Sequence, residues 1–319
     1  MMTRFFLRRR LFSAGLALLS LVVFASHDAH AQQGAAQINT QQDLARRAPD
    51  TTVDDEEEPS ISDPDLGEIN LVRRTPRPDM FTFTTSQDFH YTSNAFLTPD
   101  KELGTIFWNG RFAGSYVPYA TRDLTPRVTF EQNFFRYKKF SELDFDSQSL
   151  ELALKYDLKP DDSWFVNVSY AAARLYAPHS DEDDFYHYGL ASATITHVRQ
   201  LGGTPVYFAG TAGSQYRHGD PSAFDRVTAF VNASFFYSPI EHLQLTAFVR
   251  PEGQYYTNDA VDSSRTDFNF SVGATAIVTP VEYVSFGVTA AFVSNSSTSS
   301  PADYEVFSPS IVLGGRVAF

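Results

Sequence analysis

The stretch that decides the fold is the last thirteen residues, Phe307-Ser308-Pro309-Ser310-Ile311-Val312-Leu313-Gly314-Gly315-Arg316-Val317-Ala318-Phe319. Taken alternately, it puts Phe307, Pro309, Ile311, Leu313, Gly315, Val317 and Phe319 on one face and Ser308, Ser310, Val312, Gly314, Arg316 and Ala318 on the other. Successive side chains of a β-strand point to opposite sides of its sheet, so this is a strand with one apolar face and one small or polar face. A one-residue slip would turn Arg316 to the apolar side, which fixes the register.

The same period runs backward through the chain. Val284, Phe286, Val288, Ala290 and Phe292 alternate with Ser285, Gly287, Thr289, Ala291 and Val293, and Phe268, Phe270, Val272, Ala274, Ala276 and Val278 alternate with Asp267, Asn269, Ser271, Gly273, Thr275 and Ile277. The rule yields twelve strands, roughly 80–92, 104–118, 126–139, 147–158, 163–176, 185–200, 205–217, 225–238, 243–257, 265–278, 283–295 and 304–319. Most reach the nine to eleven or so residues that a tilted strand needs to cross a bilayer. Arg174 and His197 interrupt the fifth and sixth, so a bulge there, or a count of ten or fourteen, is also compatible with the pattern.

The connections alternate in kind. KPDDS, GGTP, SPIEH and TPVEY are tight proline-bearing turns, and Ser238-Pro239-Ile240-Glu241-His242-Leu243 echoes Thr279-Pro280-Val281-Glu282-Tyr283-Val284 as a hairpin repeat. Between them lie SNAFLTPDKEL, SELDFDS, PHSDEDDF, DPSAFD, NDAVDSSR and TSSPADYE, which are longer and acidic. Tyr91, Tyr116, Tyr156, Trp164, Tyr188, Tyr237, Tyr255, Tyr283 and Phe319 fall near strand ends, where part-polar rings suit the two interfacial girdles of a membrane barrel. A soluble sandwich shares the period but not the unprotected terminal phenylalanine.

Gly314-Gly315-Arg316-Val317-Ala318-Phe319 resembles the carboxy-terminal signature of bacterial outer-membrane β-barrels, alternating apolar residues that end in an aromatic. Phe319 matches in full; Val317 is apolar where an aromatic is commoner. The resemblance implies that Phe319 is read by the barrel-assembly machinery, and it covers residues 80 to 319. It implies a superfamily of porin-like barrels rather than one function.

The amino terminus agrees with that address. MMTRFFLRRR carries four arginines and no acid, LFSAGLALLSLVVFA supplies an apolar run of signal-peptide length, and Ala29-His30-Ala31 offers a cleavage site, so residues 1–31 read as a secretory signal peptide. Residues 32–79, with the run Asp54-Asp55-Glu56-Glu57-Glu58-Pro59, show neither period and read as a disordered acidic periplasmic linker. There is no cysteine, which removes disulfides and thiolate metal sites, and the net charge of −13 argues against a nucleic-acid partner.

The expected fold is thus all-β, a transmembrane antiparallel up-and-down barrel of about 12 strands with both termini in the periplasm of a Gram-negative bacterium, set in outer-membrane lipid and lipopolysaccharide. At this size the backbone radius is roughly 12 Å and the passage on the order of 10 Å or less. The inward set includes Arg111, Arg127, Glu131, Glu151, Lys155, Arg217, Arg250, Glu252, Asp267 and Arg316, because charges facing hydrocarbon cost a few kcal/mol each. Asp181-Glu182-Asp183-Asp184, beside His179 and His187, forms an acidic mouth that either enriches cations, binds a divalent ion or is simply solvated. The expected function is a small passive channel for small hydrophilic solutes or cations, without a cofactor. Two alternatives stay open: a plugged structural barrel or partner in surface-polymer export, and a hydrolase working at the rim through His90, His179, His187 or His218.

Overall fold

The computed structural model of the chain describes residues 62–63, 67–68, 78–100, 102–121, 123–159, 164–178, 185–259 and 264–319. The signal-peptide reading, nearly all of the linker reading, and the acidic run 181–184 with His179 lie outside the described residues.

Twelve strands form the fold: β1 (Phe81–Thr92), β2 (Thr105–Tyr116), β3 (Leu124–Tyr137), β4 (Phe145–Lys159), β5 (Trp164–Tyr176), β6 (Tyr186–Gln200), β7 (Val206–Asp220), β8 (Arg226–Ile240), β9 (Leu243–Tyr256), β10 (Thr266–Val281), β11 (Val284–Ser297) and β12 (Tyr304–Ala318). Each pairs antiparallel with its neighbours in sequence, and β12 returns to pair with β1. The seam runs from Ser310 opposite His90 to Ala318 opposite Thr82. It ends where the Phe81 N–H donates to the Phe319 carbonyl at 2.8 Å and the Phe319 N–H returns the bond at 3.0 Å. The Phe319 ring packs on Phe81 and Phe83.

Strands β8 and β10 run past the expected ends at 238 and 278, through Pro239 and Pro280. A proline has no N–H for a ladder, and in both strands the register shifts where it stands, between Tyr237 and Ile240 and between Val278 and Val281. Two-residue turns follow, 241–242 and 282–283, so the hairpin repeat is structural as well as sequential.

The two faces are sorted as lipid requires. Phe83, Phe112, Leu152, Phe268, Val288 and Ile311 are exposed on the outer wall, whereas Asp88, Asn109, Glu252, Asp267 and Asn269 are buried inside. Apolar residues outside and polar ones inside reverse the arrangement of a soluble protein. No bulge is needed in β5 and β6, whose register is continuous from Trp164 opposite His197 to Leu175 opposite Tyr186. Arg174 and His197 sit on the outer face at opposite ends of the wall, where a polar group can reach the interface. Arg174 donates to Gln148 Oε1 at 2.9 and 2.6 Å, and His197 stacks on Trp164 with ring centroids 4.4 Å apart. Tyr188 departs from the expected girdle: it has the parity of the inward Tyr186 and stacks on that ring at 5.2 Å.

Six connections lie at the end opposite the chain termini, here termed the loop end. Every second one contains the same device. Ser141–Leu143, Ser222–Phe224 and Ser300–Ala302 each form one turn of 3-10 helix, followed by Asp144, Asp225 or Asp303. Each aspartate N–H donates to the serine carbonyl, and each carboxylate accepts the backbone N–H of the preceding strand, from Tyr137 (2.6 Å), Gly219 (2.7 Å) and Ser297 (2.6 Å). Ser-x-x-Asp thus recurs once per four strands.

Close approach of the chains leaves no room for a side chain at Gly219. A Cβ on Gly219 would lie 2.5 Å from the His187 carbonyl oxygen and 3.1 Å from the Tyr186 ring, whereas one on Gly253 would meet nothing within 4 Å. Gly219→Ala is expected to destabilise the barrel by about 1–3 kcal/mol, and Gly253→Ala to change it by less than about 0.5 kcal/mol. Urea unfolding in lipid vesicles measures both; equal effects would contradict the packing described.

Candidate functional site: the barrel lumen

Inside the barrel, the two halves differ. Toward the terminal end, Thr82, Thr84, Ser86, Ser115 and Thr129 face inward and are half-buried, short side chains that leave room along β1–β3, whereas on the facing wall Val198, Ala209 and Phe236 form a buried apolar cluster with Phe165 and Tyr207. Toward the loop end the space is filled. Inward Phe107, Phe135, Tyr137, Phe145 and Tyr186 form one apolar cluster with Leu143 and Phe224, delivered by two of the 3-10 turns. The Phe135 and Phe145 rings stack at 4.2 Å. On the other wall Leu97, from the β1–β2 connection, packs on buried Val293 and Val306. That connection is tied down by Asn94, whose Nδ2 donates to the Thr98 carbonyl at 2.8 Å and whose Oδ1 accepts the Thr98 N–H at 3.2 Å.

Between these regions the charges are arranged mostly in pairs. Arg111 on β2 is hydrogen-bonded to Glu131 on β3, and Glu131 also accepts from Asn133 Nδ2 at 2.8 Å. Glu151 stands opposite Thr129, and Arg127 opposite Ala153, on the β3–β4 ladder. Lys155 lies 3.2 Å from Asp157 and 4.7 Å from the centre of the Phe165 ring. Arg217 lies over Tyr188 at 4.5 Å.

Strands β9 and β10 carry a second network. Arg250 donates to Glu252 at 2.9 and 3.0 Å and lies 3.9 Å from the Phe230 ring centre. Glu252 accepts from Gln254, Gln254 accepts from the Tyr256 hydroxyl, and that hydroxyl accepts from Arg226. Asp267 accepts from Arg265 at 2.9 and 2.5 Å, from Ser297 at 2.5 Å and from Asn295 at 3.2 Å. Arg265 also reaches Asp259 at 3.1 Å. Burial alone would lower the Arg265 pKa, but hydrogen bonds to Asp267 and Asp259 and the neighbouring Tyr256 raise it, holding the group charged.

The ten charged residues expected in the lumen therefore do not converge on one point. They are spread over the β2–β4 wall, the β7–β10 wall and the terminal rim, where exposed Arg316 reaches Asp79 at 3.4 Å. Sequence reasoning missed Arg226 and Arg265 as inward charges, although both stand at the beginning of expected strands, 225–238 and 265–278. It also missed the inward parity of Asp88 and Asn109, both buried. Of the histidines considered for a rim hydrolase, His90 is not at the surface: it is buried inside, stacked on Phe107 at 4.6 Å and 3.9 Å from Asp88. His187 and His218 are exposed on the outer wall. Among the described residues no group of three or more His, Asp or Glu could hold a metal ion.

Because Arg250 and Glu252 are both nearly inaccessible to solvent, removing one partner strands the other. Glu252→Gln is expected to cost about 3 kcal/mol, and the double variant Arg250→Met/Glu252→Met to recover most of that loss. Urea titrations of the single and double variants check both values.

No family model and no curated protein matches the sequence. In three dimensions the chain is similar to an outer membrane channel from Pseudomonas putida F1 (TM-score 0.51, 14% identity, covering 78% of this chain and 100% of that one). It is also similar to the translocator domain of the autotransporter NalP from Neisseria meningitidis (TM-score 0.46, 11% identity, 77% and 91%), and to LpxR from Salmonella typhimurium (TM-score 0.43, 11% identity, 72% and 99%). At 14% identity the likeness to the channel speaks for the fold alone, a closed antiparallel β-barrel.

Proposed function

We propose that the chain is a small passive channel of a Gram-negative outer membrane, for small hydrophilic solutes, and not an enzyme. The observation that carries this reading is the β1–β3 side of the terminal half of the lumen, an accessible polar wall of short Ser and Thr side chains. The apolar cluster at the loop end is its constriction, and the short 3-10 turns that deliver Leu143 and Phe224 are the parts that would have to yield for passage. In this reading residues 1–31 are a signal peptide, both termini are periplasmic, the loop end meets lipopolysaccharide, and Phe319 is the signal for the assembly machinery. Inward acids and bases stand mostly in pairs, so a preference for cations has to come from the Asp181-to-Asp184 run rather than from the walls.

Planar-bilayer recording of the refolded protein tests the proposal. Discrete conductance steps are expected, with higher conductance or open probability for Phe224→Ala, and with any cation preference lost when residues 181 to 184 are neutralised. Absence of conductance, with and without residues 32–79 and in Phe224→Ala, would leave the plugged structural barrel as the better reading.

A further inference from the structure

The three Ser-x-x-Asp turns stand at the same place relative to the sheet. The ladders they join end at Phe135 opposite Phe145, Arg217 opposite Arg226 and Asn295 opposite Tyr304. In each, the aspartate immediately precedes the first paired residue of the second strand. Its carboxylate accepts the N–H two residues beyond the last paired residue of the first strand: Asp144 from Tyr137, Asp225 from Gly219 and Asp303 from Ser297. That N–H has run past its ladder, so the carboxylate is the partner that the neighbouring strand no longer supplies. The bond to an ionised acceptor is a strong one.

Because this bond lies outside the ladder, releasing it frees the turn without opening a sheet edge. The bond from each aspartate N–H to the serine carbonyl is internal to the turn and moves with it. The first turn is otherwise tied by the Lys138 N–H on the Ile106 carbonyl at 2.9 Å and by the edge contact of Phe140 with Phe96 at 4.9 Å. The second is tied by the Thr257 N–H on the Asp225 carbonyl at 3.0 Å, and Asn258 Nδ2 donates to its carboxylate at 3.2 Å.

The residue before the aspartate sets what each turn presents. Leu143 and Phe224 are buried in the apolar cluster with inward Phe107, Phe135, Phe145 and Tyr186. The third turn has Ala302 there, half-buried and in none of the buried apolar clusters among the described residues. One fastening thus occurs twice with a plug and once without.

We propose that Asp144 and Asp225 are positioning residues of the constriction: each latches a turn that seats an apolar plug, and loss of the carboxylate lets the plug leave while the wall stays closed. Asp303 is the same latch with no plug behind it. The effect on passage rests on the channel reading; the seating of the plugs is measurable without conduction.

The chain has no cysteine, so a single introduced thiol reports its own position. Leu143→Cys and Phe224→Cys are refolded in the full chain, and their rates of reaction with a membrane-impermeant maleimide are measured with and without the latch. Asp144→Ala is expected to speed labelling at 143, and Asp225→Ala at 224, by about tenfold or more, the scale of a lost hydrogen bond to a charged group. Asp144→Asn, which keeps an acceptor, should fall between, and Asp303→Ala should leave both rates unchanged. In planar bilayers, with Leu143 and Phe224 intact, Asp144→Ala and Asp225→Ala should raise conductance or open probability and Asp303→Ala should not. Heat-modifiable migration on gels verifies that each variant is a closed barrel; if an alanine variant does not close, the asparagine variant at that position takes its place. Labelling unchanged by closed Asp144 and Asp225 variants, or raised equally by Asp303→Ala, overturns the latches. So does faster labelling in a conducting chain whose conductance the same variants leave unaltered. Faster labelling with no conductance in any variant supports the latches and overturns the channel reading instead.

Discussion

The pair of backbone hydrogen bonds exchanged between Phe81 and Phe319 completes a constraint on which all else depends. An unsatisfied N–H or C=O in hydrocarbon costs several kcal/mol, so a sheet can sit in a bilayer only if it has no edge. The seam from β12 to β1 removes the edge. Once the sheet is closed, the strict alternation of faces follows, because each residue is either against lipid or inside. The position of Phe319 follows too: the last residue is a ladder partner of the first strand and packs on its two outward rings.

Closure also dictates how charge is handled. Inward side chains two apart on one strand are neighbours, and the barrel uses that spacing repeatedly, in Lys155 with Asp157, Arg250 with Glu252, and Arg265 with Asp267. Such pairs neutralise locally and lie along the wall rather than across the space. Apolar filling occurs at both ends: at the loop end, where the turns bring in Leu143 and Phe224, and at the terminal end, where Val198, Ala209 and Phe236 form a buried cluster with Phe165 and Tyr207. Arg217 and Arg226, by contrast, are neighbours across the β7–β8 ladder rather than along one strand.

Much of the architecture was legible in the sequence. Period two, a tolerance for Arg316 on one face only, and the alternation of short and long connections lead to twelve strands and their approximate bounds. What the sequence concealed was mostly at strand ends. Pro239 and Pro280 look like terminators, but a register shift accommodates each inside its strand. Tyr188 looks like a girdle residue until its parity with Tyr186 is fixed, and His90 looks like a rim residue although β1 carries it inward under Phe107. For the lumen, parity identifies which charges face in, but not their partners, because pairing across the ladder depends on stagger between strands. Arg265 belongs with Asp267 only once the strand beginning at Thr266 is known to continue the inward parity of the loop before it.

The recurring Ser-x-x-Asp turn adds a history to the geometry. Its three copies begin at 141, 222 and 300, steps of 222 − 141 = 81 and 300 − 222 = 78 residues, each spanning four strands. A hairpin is the smallest piece that keeps the strand number even, yet the pattern repeats over two hairpins, one with a long loop and one with the tethered turn. The barrel is thereby divisible into three modules, each supplying one fastened point on the rim. Lengthening or shortening such a chain in phase with its own design means adding or deleting four strands at a time, which leads by the same grammar to barrels of eight or sixteen.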